Sequence, residues 1–284
     1  MMNILLLGQH IGGSLSPFLH NHLFAQHRLP FRYSLFPATA AELPGALAMM
    51  KLGEYAGANV TSPHKELLFS MMNQLDPLAE RARSVNTILI RDGKAIGYNT
   101  DVAGFRWALD SLSELPLFGN QHFTAAVLGT GGAARAAIHV LLSFPNLSRL
   151  TLCSRSQQRA AAESARWNDA RVFPAEIGEC APADILVNAT PVGLHANLAS
   201  DLNSIANSLF TPDAAGLTHG FFYDMIYRPG ITPLMTAANR AGIPATNGLR
   251  MFAGQAAESF RLWTGITVDP AELHNLLQNH LKHQ

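Results

Sequence analysis

Cysteine is scarce in this chain of 284 residues: there are two, Cys153 and Cys180. Two cysteines exclude a disulfide-framework protein and a four-thiolate zinc site, and they fit a reducing compartment in which both stay as thiols. Net charge is missing too, since 20 Lys and Arg balance 20 Asp and Glu and only 14% of residues are charged. A chain without charge of one sign has no global attraction to nucleic acid or to an anionic membrane. No apolar run approaches the roughly 20 residues of a membrane span. The opening segment, with its short apolar run Ile4–Leu7, has neither the basic flank nor the length of a secretion signal. These absences leave a soluble cytoplasmic protein as the expectation. Disorder is excluded by a hydrophobic content of 48%. The length suits two domains better than one.

What is present is alternation. Short apolar runs read as strands: Ile4–Leu7, Phe31–Leu35, Gly57–Val60, Ala125–Leu128, Arg149–Cys153, Ile185–Asn188 and Phe221–Met225. Between them lie helical stretches: Pro17–Gln26, Ala41–Lys51, Pro63–Leu75, Val102–Leu112, Ala134–Ser143, Gln158–Trp167 and Pro233–Ala241. Val85–Ile90 and Lys94–Tyr98 read as a hairpin across Asp92–Gly93. Two helices, Phe252–Thr264 and Pro270–His280, close the chain, a Pro- and Gly-bearing loop lies around Pro116–His122, and Ala199–His219 reads as polar loop. This pattern predicts an α/β fold.

Gly129–Thr130–Gly131–Gly132–Ala133–Ala134 follows the strand Ala125–Leu128 and leads into an Ala-rich helix. In that context a G-x-G-x-x-G/A turn is a dinucleotide site: one glycine permits the tight turn, the next lets backbone N–H groups approach a pyrophosphate, and the helix N-terminus favours the anion. The next strand ends in Ser154–Arg155–Ser156 with Arg159 beyond, where an NAD site usually has an acid. A guanidinium engages a 2′-phosphate that a carboxylate repels, so the cofactor expected is NADP(H). For Arg159 an ordinary surface helix charge is an equal reading.

In the first hundred residues, Ser14 and Ser16 precede Pro17 with two hydroxyls on one side of the chain, a small site suited to a carboxylate, and Ser16 reads as the N-cap of the helix. Asn59 and Thr61 share a side, and Lys65 stands in the first turn of the next helix, where the macrodipole opposes a cation. Such a placement makes sense for a lysine needed for chemistry. Position alone reads Asp101 as an N-cap of the helix that follows. His20 and His22 lack the spacing of helical metal ligands, and no metal site is expected.

Together these segments resemble the shikimate dehydrogenase family, in order and over almost the whole chain. The matching motifs are Ser14-x-Ser16–Pro17 with His20–Asn21, Asn59–Val60–Thr61-x-Pro63-x-Lys65, Val85–Asn86–Thr87, Asn99–Thr100–Asp101, and the turn from Gly129 through Arg135. Ser154–Arg155–Ser156, Asn188–Ala189–Thr190, Tyr227-x-Pro229, Gly248–Leu249-x-Met251 and Gln255–Ala256–Ala257 continue the series. The resemblance implies a substrate domain over 1–103 completed by 243–284, with an NADP-binding Rossmann domain over 104–242 between them. It implies reduction of 3-dehydroshikimate to shikimate, with Lys65 and Asp101 as the catalytic pair. Ser14, Ser16, Asn59, Thr61, Asn86, Tyr227 and Gln255 would hold the substrate. Gly129, Gly131, Gly132, Ala133, Ser154, Arg155, Ser156, Arg159, Thr190, Met225 and Gly248 would hold the coenzyme. The partner is a small molecule; monomer and homodimer both remain open. Quinate or an aminoshikimate-type analogue is the alternative substrate, and a non-catalytic NADP sensor is the reading from another class.

Overall fold

The computed structural model describes residues 1–112, 121–194, 199–212 and 219–282. The chain divides into two compact units, Met1–Phe105 with Phe252–Gln284, and Arg106–Met251.

The first unit holds β1 (Met2–Gly8), α1 (Ser16–Gln26), β2 (Phe31–Pro37), α2 (Leu43–Leu52), β3 (Tyr55–Val60), α3 (Lys65–Phe69), β4 (Gln74–Leu75), α4 (Pro77–Ala82), β5 (Thr87–Arg91), β6 (Lys94–Tyr98) and most of α5 (Thr100–Asp110). Its sheet has the order β2-β1-β3-β5-β6-β4. β1 runs parallel to β2 and β3, whereas β5 is antiparallel to β3 and β6. The hairpin turns at Asp92 and Gly93, with φ of 52° and 69°, the left-handed pair that a two-residue turn needs. Alternate β1 residues face opposite ways: Leu5 and Leu7 join Leu43, Leu47 and Met50 of α2 in one core. On the α1 side, Phe24 stacks with Phe260 of α10 (Leu249–Thr264), and Trp263 of α10 donates its indole N–H to the Ile88 carbonyl at 3.0 Å. Gly57 makes room for that docking, because a Cβ there would run into the Ile88 carbonyl and the indole. α11 (Pro270–Lys282) completes the unit.

The second unit carries β7 (Phe123–Leu128), α6 (Gly132–Leu142), β8 (Leu147–Ser154), α7 (Gln157–Trp167), β9 (Val172–Glu176), β10 (Ile185–Asn188), α8 (Ala199–Phe210), β11 (Phe222–Asp224), α9 (Pro233–Arg240) and β12 (Ala245–Thr246). All its strand pairs are parallel, in the order β12-β11-β10-β7-β8-β9. From the other edge this is the doubly wound order 3-2-1-4-5-6, whose ligand crevice lies where the winding reverses, between β7 and β10. The α/β class and the two-sheet architecture are therefore as expected.

Several local expectations need correction. Pro63–Leu75 is not one helix: Asn73 pairs with Ala95 through N–H and Oδ1, which recruits Gln74–Leu75 as an edge strand on β6. Asp76 then caps the short α4, its carboxylate accepting from Leu78 N and Ala79 N at 2.9 and 3.4 Å. Ser16 lies within α1 rather than capping it, and Asp101 lies in the first turn of α5 rather than before it. The polar stretch from Ala199 contains α8. Leu202, Ile205, Ala206, Leu209 and Phe210 keep helical spacing amid the serines and asparagines, and they pack on the core of this unit. β9 was not expected either. Cys153 and Cys180, expected as thiols, are joined as a disulfide with Cα atoms 6.1 Å apart. The loop expected around Pro116–His122 falls, up to residue 120, outside the described residues, as do residues 213–218 of the expected polar loop.

Candidate active site

In the first unit, β3, β5, α3, α5 and α10 bring together side chains that lie far apart in sequence. Lys65 is the first residue of α3, after the cis peptide Ser62–Pro63, and its backbone carbonyl is held by the N–H of Val85. Its ammonium donates to Asp101 Oδ2 at 2.5 Å, with the two side chains 18% and 8% exposed. Asn86 donates to the other oxygen, Asp101 Oδ1, at 2.8 Å. Asn86 is fixed in turn: its Oδ1 accepts from Thr100 N at 2.7 Å. One carboxylate oxygen is thus tied to the fold and the other to the lysine.

Behind this pair lies a buried triangle of hydroxyls. Thr87, Thr100 and Ser259 lie 2.9 to 3.1 Å from one another. The Asn59 amide donates to Thr87 Oγ1 and Ser259 Oγ, both at 3.0 Å, while its Oδ1 accepts from the Tyr33 hydroxyl at 2.8 Å. Asn59 therefore serves the wall of the site with both ends of its amide. Thr61 follows β3 with its N–H on the Leu7 carbonyl. Ser14 and Ser16 do come together: the Ser14 hydroxyl lies 3.1 Å from Ser16 Oγ and accepts the Ser16 N–H. Gln255 of α10 is nearly buried, its Nε2 on the Phe252 carbonyl. Ser259, one turn further along α10, was missed. The signal was its position four residues after Gln255, on the same helical face. His20 is fully buried and stacks on Tyr33 with ring centroids 4.7 Å apart. Burial without a hydrogen-bond partner pushes its pKa down to about 3, so it is neutral.

In the second unit the phosphate turn has the expected form. Gly129 has φ of 110°, which a side chain would strain, and its N–H is held by the Cys153 carbonyl at 2.9 Å. Gly131 is the N-cap of α6, and a Cβ built there meets nothing within 4 Å. The space before Gly132, Ala133 and the helix N-terminus is therefore open, with first-turn N–H groups that need partners, and it fits a pyrophosphate. Arg135, just beyond, is not available to a phosphate: it is buried and bonded to Glu163 through two nitrogens at 2.9 and 3.0 Å. Ser154 closes β8, Ser156 caps α7 by accepting the Arg159 N–H, and Arg155 and Arg159 are exposed.

At the ends of β10 and β11, Thr190 bonds Asn188 Oδ1 through N–H and hydroxyl at 3.0 and 2.6 Å. Met225 donates its N–H to the Asn188 carbonyl, and Gly248 donates to the Ile226 carbonyl. A Cβ at Gly248 would overlap the Met225 carbonyl, which is why glycine stands there. Tyr227 belongs to this second unit, not to the unit that holds the other substrate candidates. Among the described residues no set of three His, Cys, Asp or Glu could hold a metal ion, and no helix is long and apolar enough to cross a membrane.

Comparison with known proteins gives the family. Residues 6–88 match the family described as shikimate dehydrogenase substrate binding domain, and residues 248–278 the shikimate 5′-dehydrogenase C-terminal domain. The chain is 33% identical to the shikimate dehydrogenase (NADP(+)) of Oleidesulfovibrio alaskensis over 97% of its own length and 94% of that protein. It is 36% identical to that of Symbiobacterium thermophilum, over 92% and 88%. Among solved structures, it resembles shikimate 5-dehydrogenase of Thermus thermophilus in complex with NADP(H) and shikimate, with a TM-score of 0.81, 30% identity, and 98% and 99% of the two chains covered. Sequence and fold converge along the full length, and the chain belongs to the shikimate dehydrogenase family.

Proposed function

We propose that the protein catalyses the NADPH-dependent, reversible reduction of 3-dehydroshikimate to shikimate, with Lys65 and Asp101 as the catalytic pair. The observation that carries this reading is the bond from Lys65 to Asp101, made in a nearly buried setting and held from behind by Asn86. NADPH, when bound, supplies the hydride. Reduction of a ketone builds negative charge on its oxygen, and the Lys65 ammonium is the donor that stabilises this charge and delivers the proton. Lys65 then regains a proton from solvent. Asp101 holds the ammonium in place. A ring acid with several hydroxyls needs donors and acceptors in fixed directions. Ser14, Ser16, Thr61, Asn86 and Gln255 supply them, with Asn59 as part of the supporting wall. On the coenzyme side, Gly129 through Ala133 would hold the pyrophosphate, Ser154, Arg155, Ser156 and Arg159 the 2′-phosphate, and Thr190, Met225 and Gly248 the nicotinamide end. Tyr227 would add one more substrate contact. The test mixes purified protein with shikimate and NADP⁺ and follows NADPH absorbance, with quinate and NAD⁺ run in parallel. Turnover on shikimate with NADP⁺ is the expected result; folded protein inert toward every pair would refute the reading.

A further inference from the structure

At the end of β11 the chain buries a carboxylate. Asp224 is 0% exposed, and each of its bonds comes from a neutral donor. Oδ1 accepts from Asn188 Nδ2 at 3.0 Å and from Ile226 N at 3.1 Å, and Oδ2 accepts from the Thr232 hydroxyl at 2.6 Å. Burial pushes its pKa up to about 6, against the pull of these three bonds. A carboxylate held in this way is a poor device for stability, since uncharged residues fill such a space at lower cost. Its value lies in what it arranges.

Asn188 is the first of these groups. Its Nδ2 is bound to Asp224, so its Oδ1 must face the other way, toward the N–H and hydroxyl of Thr190. The carboxylate is the nearer of the acceptors that turn the Asn188 amide this way, the Val192 carbonyl at 3.4 Å being the other. Ile226 is the second: its N–H is held by Asp224, and its carbonyl receives Gly248 N–H at 3.1 Å, which clamps the backbone beside Met225. The third is Thr232, whose hydroxyl spans Asp224 Oδ2 and the Met235 N–H that opens α9.

We propose that Asp224 is a positioning residue for the nicotinamide end of bound NADP(H), acting through Asn188 on Thr190 and through Ile226 on Met225. This rests on the reading of the second unit as the coenzyme site. The carboxylate touches neither coenzyme nor substrate. It holds two strand ends so that the ring meets a prepared surface, while the turn at Gly129 and the region of Arg155 hold the phosphates without it.

Calorimetric titration of the whole protein tests this with two probes, NADPH and adenosine 2′,5′-bisphosphate, the second having the 2′-phosphate and adenine but no nicotinamide. Asp224→Ala is expected to weaken NADPH by about tenfold and leave the bisphosphate within about twofold, the loss of one charged hydrogen-bond anchor. A parallel loss for both probes, or no loss for either, overturns the proposal. If Asp224→Ala fails to fold, Thr232→Val decides: it removes the donor to Oδ2, a selective NADPH loss of about threefold is expected, and unchanged NADPH affinity overturns the proposal. Wild-type protein that binds neither probe would instead refute the coenzyme site itself, and the proposal with it.

Discussion

Around Lys65 the polar side chains are buried and bonded to one another, and the positions of Asp101, Asn86, Thr87, Thr100 and Ser259 are all set by protein partners. Around Gly131 the groups offered to a ligand are backbone N–H groups at a helix start and exposed guanidinium groups. The difference follows from the ligands proposed. A phosphate accepts hydrogen bonds from many directions, so an open turn and exposed arginines serve it. A polyhydroxy ring presents alternating donors and acceptors at fixed angles, and a wall that must reorganise on binding loses affinity and rate. Preorganisation is therefore concentrated in the first unit and in the strand ends near Asp224.

Three substitutions sharpen that contrast. The largest effect is expected for Lys65→Ala: turnover falls by about a thousandfold, the range of a lost general acid and charge stabiliser, while NADPH affinity measured by titration stays the same. A variant that loses coenzyme affinity in step with turnover would break the separation between the two regions. Next is the acid limb of stability. His20 titrates near its ordinary 6.5 when unfolded but only at about 3 when folded, so its contribution is full above pH 6.5 and is lost as pH falls toward 3. By pH 5 the loss is about 2 kcal/mol. His20→Phe keeps a ring in the stack on Tyr33 and removes the titration. Melting curves of wild type and variant should diverge below pH 6.5, the variant holding up better in acid; parallel curves would contradict this. The smallest effect is expected for Arg155→Ala, an exposed residue: the preference for NADP⁺ over NAD⁺ in kcat/KM falls by about tenfold, as for loss of one charged hydrogen bond at a surface site. Unchanged preference would remove Arg155 from 2′-phosphate recognition.

The sequence was most legible where backbone requirements dictate residue type. The turn demands a positive φ at Gly129 and open space at Gly131, and a strand leads into it and a helix out of it, so its fold and ligand class are readable from a dozen letters. Local propensity failed where distant pairing decides. Gln74–Leu75 becomes a strand only because β6 is there to receive it. The α8 period was hidden by serine and asparagine between its apolar positions, although the period itself was intact. The motif residues Lys65 and Asp101 were found, but position alone read Asp101 as a helix cap, and only the three-dimensional neighbours reveal its bond to the lysine. Asp224 carried no local signal, since aspartate after a strand is commonplace, and Ser259 carried only its helical spacing from Gln255; what distinguishes both is burial and partners.

The hydrogen bond from Asn59 to Ser259 spans 200 positions of the chain. Its consequence falls on synthesis. The residues that surround Lys65 leave the ribosome early, yet Asn59, Thr87 and Thr100 lack one of their partners until Ser259 has been added. The intervening unit, Arg106–Met251, must be translated first, which at typical elongation rates takes roughly seven to thirty seconds. During that interval the nascent N-terminal segment holds a half-finished polar interior, and a later part of the chain supplies the missing hydroxyl.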